Sequence, residues 1–246
     1  MAQNKVISSI PNTITLLNAL SGCLSITFAF TGSLTLAGLF ILVAAVFDFF
    51  DGMAARLLKV SSSIGKELDS LADDISFGVA PSAIAFMIVT QQLNENGVEF
   101  TQLSLGTMLL CLLPFIMAAF SALRLAKFNL DDRQTDKFIG LPTPANAMVW
   151  ASLPFIMTYN ADGFIAQKVI VPQVLLPLAI VMSILLICEL PLFSLKFKTW
   201  DFSSNKIRYI FLLFCLILIV VLHFASIPAI ILLYVFMSVI GFKPQQ

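Results

Sequence analysis

Asp48, Asp51, Asp69 and Asp73 are four carboxylates spaced to act together inside an otherwise apolar chain. The segment from Asp48 to Ser82 reads DFFDGMAARLLKVSSSIGKELDSLADDISFGVAPS. On a helix, Asp48 and Asp51 stand about 60° apart around the axis and Asp69 and Asp73 about 40° apart, so each pair shares a face. A connection of about ten residues makes the two helices antiparallel neighbours, and the two acidic faces then meet. Oxygen donors alone, with no His or Cys nearby, suit a hard divalent cation, Mg2+ or Mn2+, rather than zinc. Without a cation, carboxyls packed so closely would be forced to stay partly protonated. Glu67 and Asp74 point away from these faces and read as ordinary interface charges.

The residues around the acids suit a ligand. Gly52 and Ala55 flank the acidic face, where a bulky side chain would hold a ligand off; small residues equally serve helix packing in membranes. Gly65, expected in the connecting loop, permits a tight or left-handed backbone there. Arg56 has the fork geometry for a phosphate or pyrophosphate, and reads equally as a positive residue reaching back to the membrane surface.

Helices must carry these groups. Of 246 residues, 59% are hydrophobic and only 11% charged, with a mean hydropathy of +0.97, a balance that belongs to a polytopic membrane protein. A bilayer core takes about 20 apolar residues per helix. That ruler predicts an all-α transmembrane bundle of eight spans: Asn12–Phe30, Leu34–Leu57, Leu68–Thr90, Leu103–Phe128, Thr143–Tyr159, Val169–Leu190, Ile207–His223 and Ser226–Gly241. With no internal repeat and no soluble insertion, residues 1–246 read as a single domain. The acids then sit near one membrane surface, at the end of the second span and the start of the third.

Charge sets the orientation. With both termini in the cytoplasm, Lys5, Arg56, Lys59, Lys66, Arg124, Lys127, Arg133, Lys137, Lys196, Lys198, Lys206, Arg208 and Lys243 fall on the cytoplasmic side, leaving only Lys168 outside. The loop at 91–102 carries Glu95 and Glu99 and nothing basic, as the positive-inside rule requires. Lys5 ahead of an apolar run resembles a secretory leader, but Asn12, Thr13, Thr15 and Asn18 interrupt that run, and a retained first helix is expected.

Other functions are argued against. Zero net charge suggests no nucleic-acid partner, and Cys23, Cys111, Cys188 and Cys215, scattered singly, offer neither a zinc site nor a disulfide framework. His223, Trp150 and Trp200 read as packing or interface residues. A transporter would place its acids at midplane on paired broken helices; here they gather at one face.

The pattern Asp48-x2-Asp51-Gly52-x2-Ala55-Arg56-x8-Gly65-x3-Asp69-x3-Asp73 resembles in full the signature of the CDP-alcohol phosphatidyltransferase family. That resemblance implies a site for two divalent ions on Asp48, Asp51, Asp69 and Asp73, with Asp73 also the general base. Pro11-Asn12-x2-Thr15 is similar to a second element of the family, and Asn12, Thr15, Gly52, Arg56 and Ser62 would contact the CDP-diacylglycerol headgroup. It also implies a catalytic core at about 11–160, a homodimer, and an inner-membrane enzyme with its site at the cytoplasmic face.

Leu68 to Ser82, the run Arg124-Leu-Ala-Lys-Phe-Asn129 and the run Gly140-Leu-Pro-Thr-Pro-Ala145 resemble the branch of the family whose acceptor alcohol is L-serine. Lys127 stands where that branch usually has Arg. Arg124 and Lys127 would meet the serine carboxylate, or serve only as positive-inside anchors. The implied reaction moves a phosphatidyl group from CDP-diacylglycerol to the serine hydroxyl, releasing CMP. A sibling using glycerol 3-phosphate or inositol phosphate would share every carboxylate, and product identity would separate the two.

Overall fold

Apolar length and a few polar caps determine where each helix begins and ends. The structure, a computed structural model, describes residues 2–60, 62–94, 97–130, 138–192 and 201–241. They form eight helices: α1 (Ala2–Phe30), α2 (Leu34–Leu58), α3 (Ser63–Leu93), α4 (Leu105–Leu130), α5 (Thr143–Tyr159), α6 (Pro172–Ile187), α7 (Phe202–Leu222) and α8 (Ser226–Gly241). The bundle is all-helical apart from a two-residue antiparallel contact, Phe138–Ile139 with Pro191–Leu192. Four single helices, Ser9–Phe30, Leu34–Leu58, Ser63–Leu93 and Leu105–Leu130, are long and apolar enough to cross a membrane, and so is the stretch Asn205–Val239 that joins α7 to α8. This is a membrane protein. The side chain of Lys5, and Glu95, Arg133, Lys137, Lys196, Lys198, Trp200 and Lys243, lie outside what is described.

The acidic helices are joined more tightly than their hydropathy suggests. Lys59 turns left-handed at φ 53° and its N–H closes on the Arg56 carbonyl, stopping α2. Ser62 then caps α3, its Oγ accepting from Gly65 N–H at 2.9 Å. The connection is therefore four residues, not about ten, and α3 begins at Ser63 rather than Leu68. Its first turns are polar, so an apolar ruler passes over them. Gly65 is also not a loop residue: it is helical, and its smallness serves another end. A Cβ there would stand 2.9 Å from Ser62 Oγ and 3.0 Å from Asn12 Oδ1, so α1 could not come as close.

Small residues bring the remaining helices together. A Cβ on Gly38 of α2 would lie 2.5 Å from the Ala151 carbonyl oxygen of α5, and one on Gly22 of α1 would lie 2.5 Å from Ser76 Oγ of α3. Ser25 Oγ of α1 donates to the Ala37 carbonyl of α2 at 2.7 Å. Phe77, Ile84, Ile88, Trp150 and Ile156 are fully or almost fully buried where α3 and α5 cross the centre. By contrast α7 and α8 are mostly exposed apolar surface.

The bundle has a charged end. Lys66 Nζ donates to the Asn129 carbonyl at 2.9 Å, so α3 starts beside the end of α4. Leu141 N–H donates to the Leu185 carbonyl, so α5 starts beside the end of α6. At the opposite end Gln92 Nε2 donates to the Ile170 carbonyl, and the α7–α8 turn packs on α5. Arg56, Lys59, Lys66, Arg124 and Lys127 share the first end, whereas Lys168 lies at the second.

Candidate active site

Helical spacing predicts two acidic faces, and the four-residue connection makes them meet. Ligand oxygens of Asp48 and Asp51 on α2 and of Asp69 on α3 lie within 4.8 Å of one another. Asp73, one turn deeper on α3, stands outside that group of three but near enough to Asp48 for the two carboxyls to interact. All four acids are thus brought together, three at the mouth and one behind.

The cluster forms the wall of a cavity of about 290 Å³. Pro11, Asn12 and Thr15 line it from α1, Asp48, Asp51, Gly52 and Ala55 from α2, and Gly65, Lys66 and Asp69 from α3, with Val60 and Ser62 from the connection. A Cβ on Gly52 would meet nothing within 4 Å, so the missing side chain leaves open space beside the acids. Thr15 lies against Asp51 while its hydroxyl donates to the Pro11 carbonyl at 3.0 Å. Arg56 is exposed and stands one turn beyond Gly52, outside the lining.

These donors fit a hard divalent cation. They are carboxylate oxygens only, drawn from two helices at a spacing one ion can span. Asp51 is 5% exposed, and its Oδ2 is buried without a hydrogen-bond partner. An orphaned carboxylate oxygen is costly to bury, and a bound cation would satisfy it.

In the sequence Asn18 reads only as an interruption of an apolar helix. It is fully buried, and its Nδ2 donates to Asp73 Oδ1 at 3.1 Å. Its backbone carbonyl accepts from Ser76 Oγ at 2.9 Å, tying α1 to α3 just past Asp73. The signal was present: Asn12, Thr15 and Asn18 recur every three residues and so share the face of α1 that meets the acids.

Past Asp73 the helix widens into a π turn, Asp74–Val79. Such turns recur at functional sites because they re-aim side chains. Asp74 is consequently no ordinary interface charge: its Oδ1 is buried without a partner beside Gly78 and Ser121 of α4. One turn along α4, Arg124 is only 9% exposed and close enough to Asp73 for their charges to interact. Lys127 is exposed and lines neither cluster nor cavity. Asn129 Nδ2 donates to Ser70 Oγ at 2.9 Å, which with Lys66 holds the end of α4 against α3.

Comparison with known proteins identifies the family. The sequence pattern of CDP-alcohol phosphatidyltransferases matches residues 8–185. A CDP-diacylglycerol–serine O-phosphatidyltransferase of Bacillus subtilis is 39% identical over 151 residues, covering 61% of this chain and 77% of that protein. One of Saccharomyces cerevisiae is 42% identical over 147 residues, 53% of this chain and 48% of that protein. An archaetidylserine synthase of Methanothermobacter thermautotrophicus is 32% identical over 172 residues, 68% of this chain and 65% of that protein. The chain thus spans about half the length of the yeast relative and more of the other two.

Proposed function

This chain belongs to the CDP-alcohol phosphatidyltransferase family, and we propose that it transfers the phosphatidyl group of CDP-diacylglycerol to the hydroxyl of L-serine, giving phosphatidylserine and CMP. The observation that carries this reading is the junction of Asp48, Asp51 and Asp69 within 4.8 Å, at the wall of a cavity and directly before a deeper carboxylate. The names of the relatives support serine as the acceptor.

Asp48, Asp51, Asp69 and Asp73 would hold divalent metal, two ions of Mg2+ or Mn2+, which when bound neutralises charge on the pyrophosphate as its bond breaks. The chain's own residues do the rest. Asn12, Thr15, Gly52 and Ser62 receive the CDP headgroup, Gly52 by leaving room and the others by hydrogen bonding. Arg56 takes phosphate charge at the rim. Asn18 occupies one oxygen of Asp73, so the other faces the acceptor and takes the serine hydroxyl proton. The serine oxygen bonds to the phosphorus bearing diacylglycerol, and the bond from that phosphorus to the CMP oxygen breaks with its electron pair. Arg124 meets the serine carboxylate, and Lys127 adds positive charge at the entrance.

Residues 1–246 form one membrane domain with its catalytic core at about 11–160. It sits in the inner membrane as a homodimer, with both termini and the acidic site at the cytoplasmic face. Gathering of the described basic residues at the acidic end supports that orientation.

The decisive experiment supplies purified protein in vesicles with CDP-diacylglycerol, divalent metal and, in turn, serine, glycerol 3-phosphate and inositol phosphate. Phosphatidylserine with stoichiometric CMP is expected from serine alone. A lipid product from another alcohol in its place would overturn the assignment.

A further inference from the structure

An amino acid is a demanding acceptor, because it carries an ammonium and a carboxylate within a few ångströms of its hydroxyl. A site for it needs an acceptor for N–H, a donor for the carboxylate and a base for the hydroxyl. The surroundings of Asp73 hold all three.

Asn18 contributes the first. Its Nδ2 is committed to Asp73 Oδ1, which sets the amide orientation, since the reverse would aim an oxygen at a carboxylate. Its Oδ1 is left buried with no partner, on a side chain with no exposed surface. Arg124 contributes the second. Gly78 of α3 faces Ser121 of α4; because the two helices run antiparallel here, a turn back toward Asp73 on one is a turn forward toward Arg124 on the other. Arg124 is nine-tenths buried, and its Nε is also without a partner. An unpaired acceptor and an unpaired cationic donor thus flank the base from α1 and α4.

We propose that Asn18 and Arg124 are a clamp for the zwitterion of the acceptor amino acid: Asn18 Oδ1 accepts from the α-ammonium and the Arg124 guanidinium donates to the α-carboxylate. The clamp rests on the serine reading above and adds Asn18 as the residue that links substrate recognition to the base. Buried polar groups of this kind discriminate strongly, because an acceptor lacking the matching charge leaves them unpaired.

Two serine analogues test the two arms, in full-length protein in vesicles with CDP-diacylglycerol. 3-Hydroxypropanoate lacks the ammonium and ethanolamine lacks the carboxylate. The unmodified protein is expected to prefer serine over either by about a hundredfold or more in kcat/KM. Asn18→Ala should collapse the preference over 3-hydroxypropanoate, and Arg124→Gln the preference over ethanolamine, each leaving the other preference standing. KM for CDP-diacylglycerol should stay within about twofold in both, and Arg124→Lys should restore part of the lost preference. Because Asn18 also orients Asp73, Asn18→Ala slows every acceptor in any case; unchanged preferences, whatever the loss in overall rate, overturn the clamp. Where turnover is too slow, equilibrium binding of serine reads the same contacts, and an unchanged serine Kd in both variants overturns it too. Serine turnover with unaltered preferences sinks the clamp alone, whereas an unmodified protein that converts no serine sinks the function with it.

Discussion

The amide nitrogen of Asn18 lies 3.1 Å from Asp73 Oδ1, so a residue of α1 sets the orientation of a carboxylate on α3. The bond predicts how the base role proposed for Asp73 can be removed without breaking the fold. In Asp73→Asn the new side-chain oxygen still accepts from Asn18, while no group remains to take the serine proton. CMP release should fall by about 10²–10⁴-fold, with the helical circular dichroism and melting temperature close to those of the unmodified protein. Near-normal CMP release would remove Asp73 from the base role.

Asp51 leads to a prediction about metal that needs no turnover. Its Oδ2 is buried without a partner, and its carboxylate is one of the three whose oxygens lie within 4.8 Å of one another. Asp51→Asn removes charge while keeping shape, so divalent binding should weaken by at least about tenfold. Titration of Mn2+ followed by its magnetic resonance signal measures this directly. An unchanged Mn2+ affinity would place the ion elsewhere.

How much of this was legible in the sequence depends on which physical signal each residue carries. Hydropathy reports apolar runs, so eight helices were readable, while the polar first turns of α3 were not. Charge in a membrane helix is conspicuous, so Asp48, Asp51, Asp69 and Asp73 stood out together. Asn18 is uncharged and ordinary in type; its importance comes from a partner 55 positions away, which no local window reveals. Uniform helical geometry points Asp74 away from the cluster, and the π turn that sets it beside Ser121 of α4 is a tertiary choice no local pattern reveals.

Gly52 predicts a conflict between stability and binding. A methyl there meets nothing within 4 Å, and Ala is favoured over Gly in a helix by up to about 1 kcal/mol. Gly52→Ala should therefore leave the melting temperature unchanged or raised, while the methyl intrudes on the cavity and raises KM for CDP-diacylglycerol. Thermal melts and lipid-dependent kinetics on the same preparation check both signs, and an unchanged KM would remove Gly52 from the headgroup site.

Gly38 predicts the opposite pattern. A Cβ at this position would stand 2.5 Å from the Ala151 carbonyl oxygen, and that oxygen belongs to the backbone of α5. A flexible side chain could swing aside, but a backbone carbonyl moves only if α2 and α5 separate. Gly38→Ala should destabilise the bundle by about 1–3 kcal/mol through overpacking. The loss should appear as a lower melting temperature at unchanged KM for both substrates below the melt, because α2 carries its acids more than two turns further along, at Asp48 and Asp51. If Gly38→Ala instead raised KM for serine or CDP-diacylglycerol while melting normally, the α2–α5 contact would be coupled to the site, and the separation between packing and chemistry drawn along α2 would be wrong.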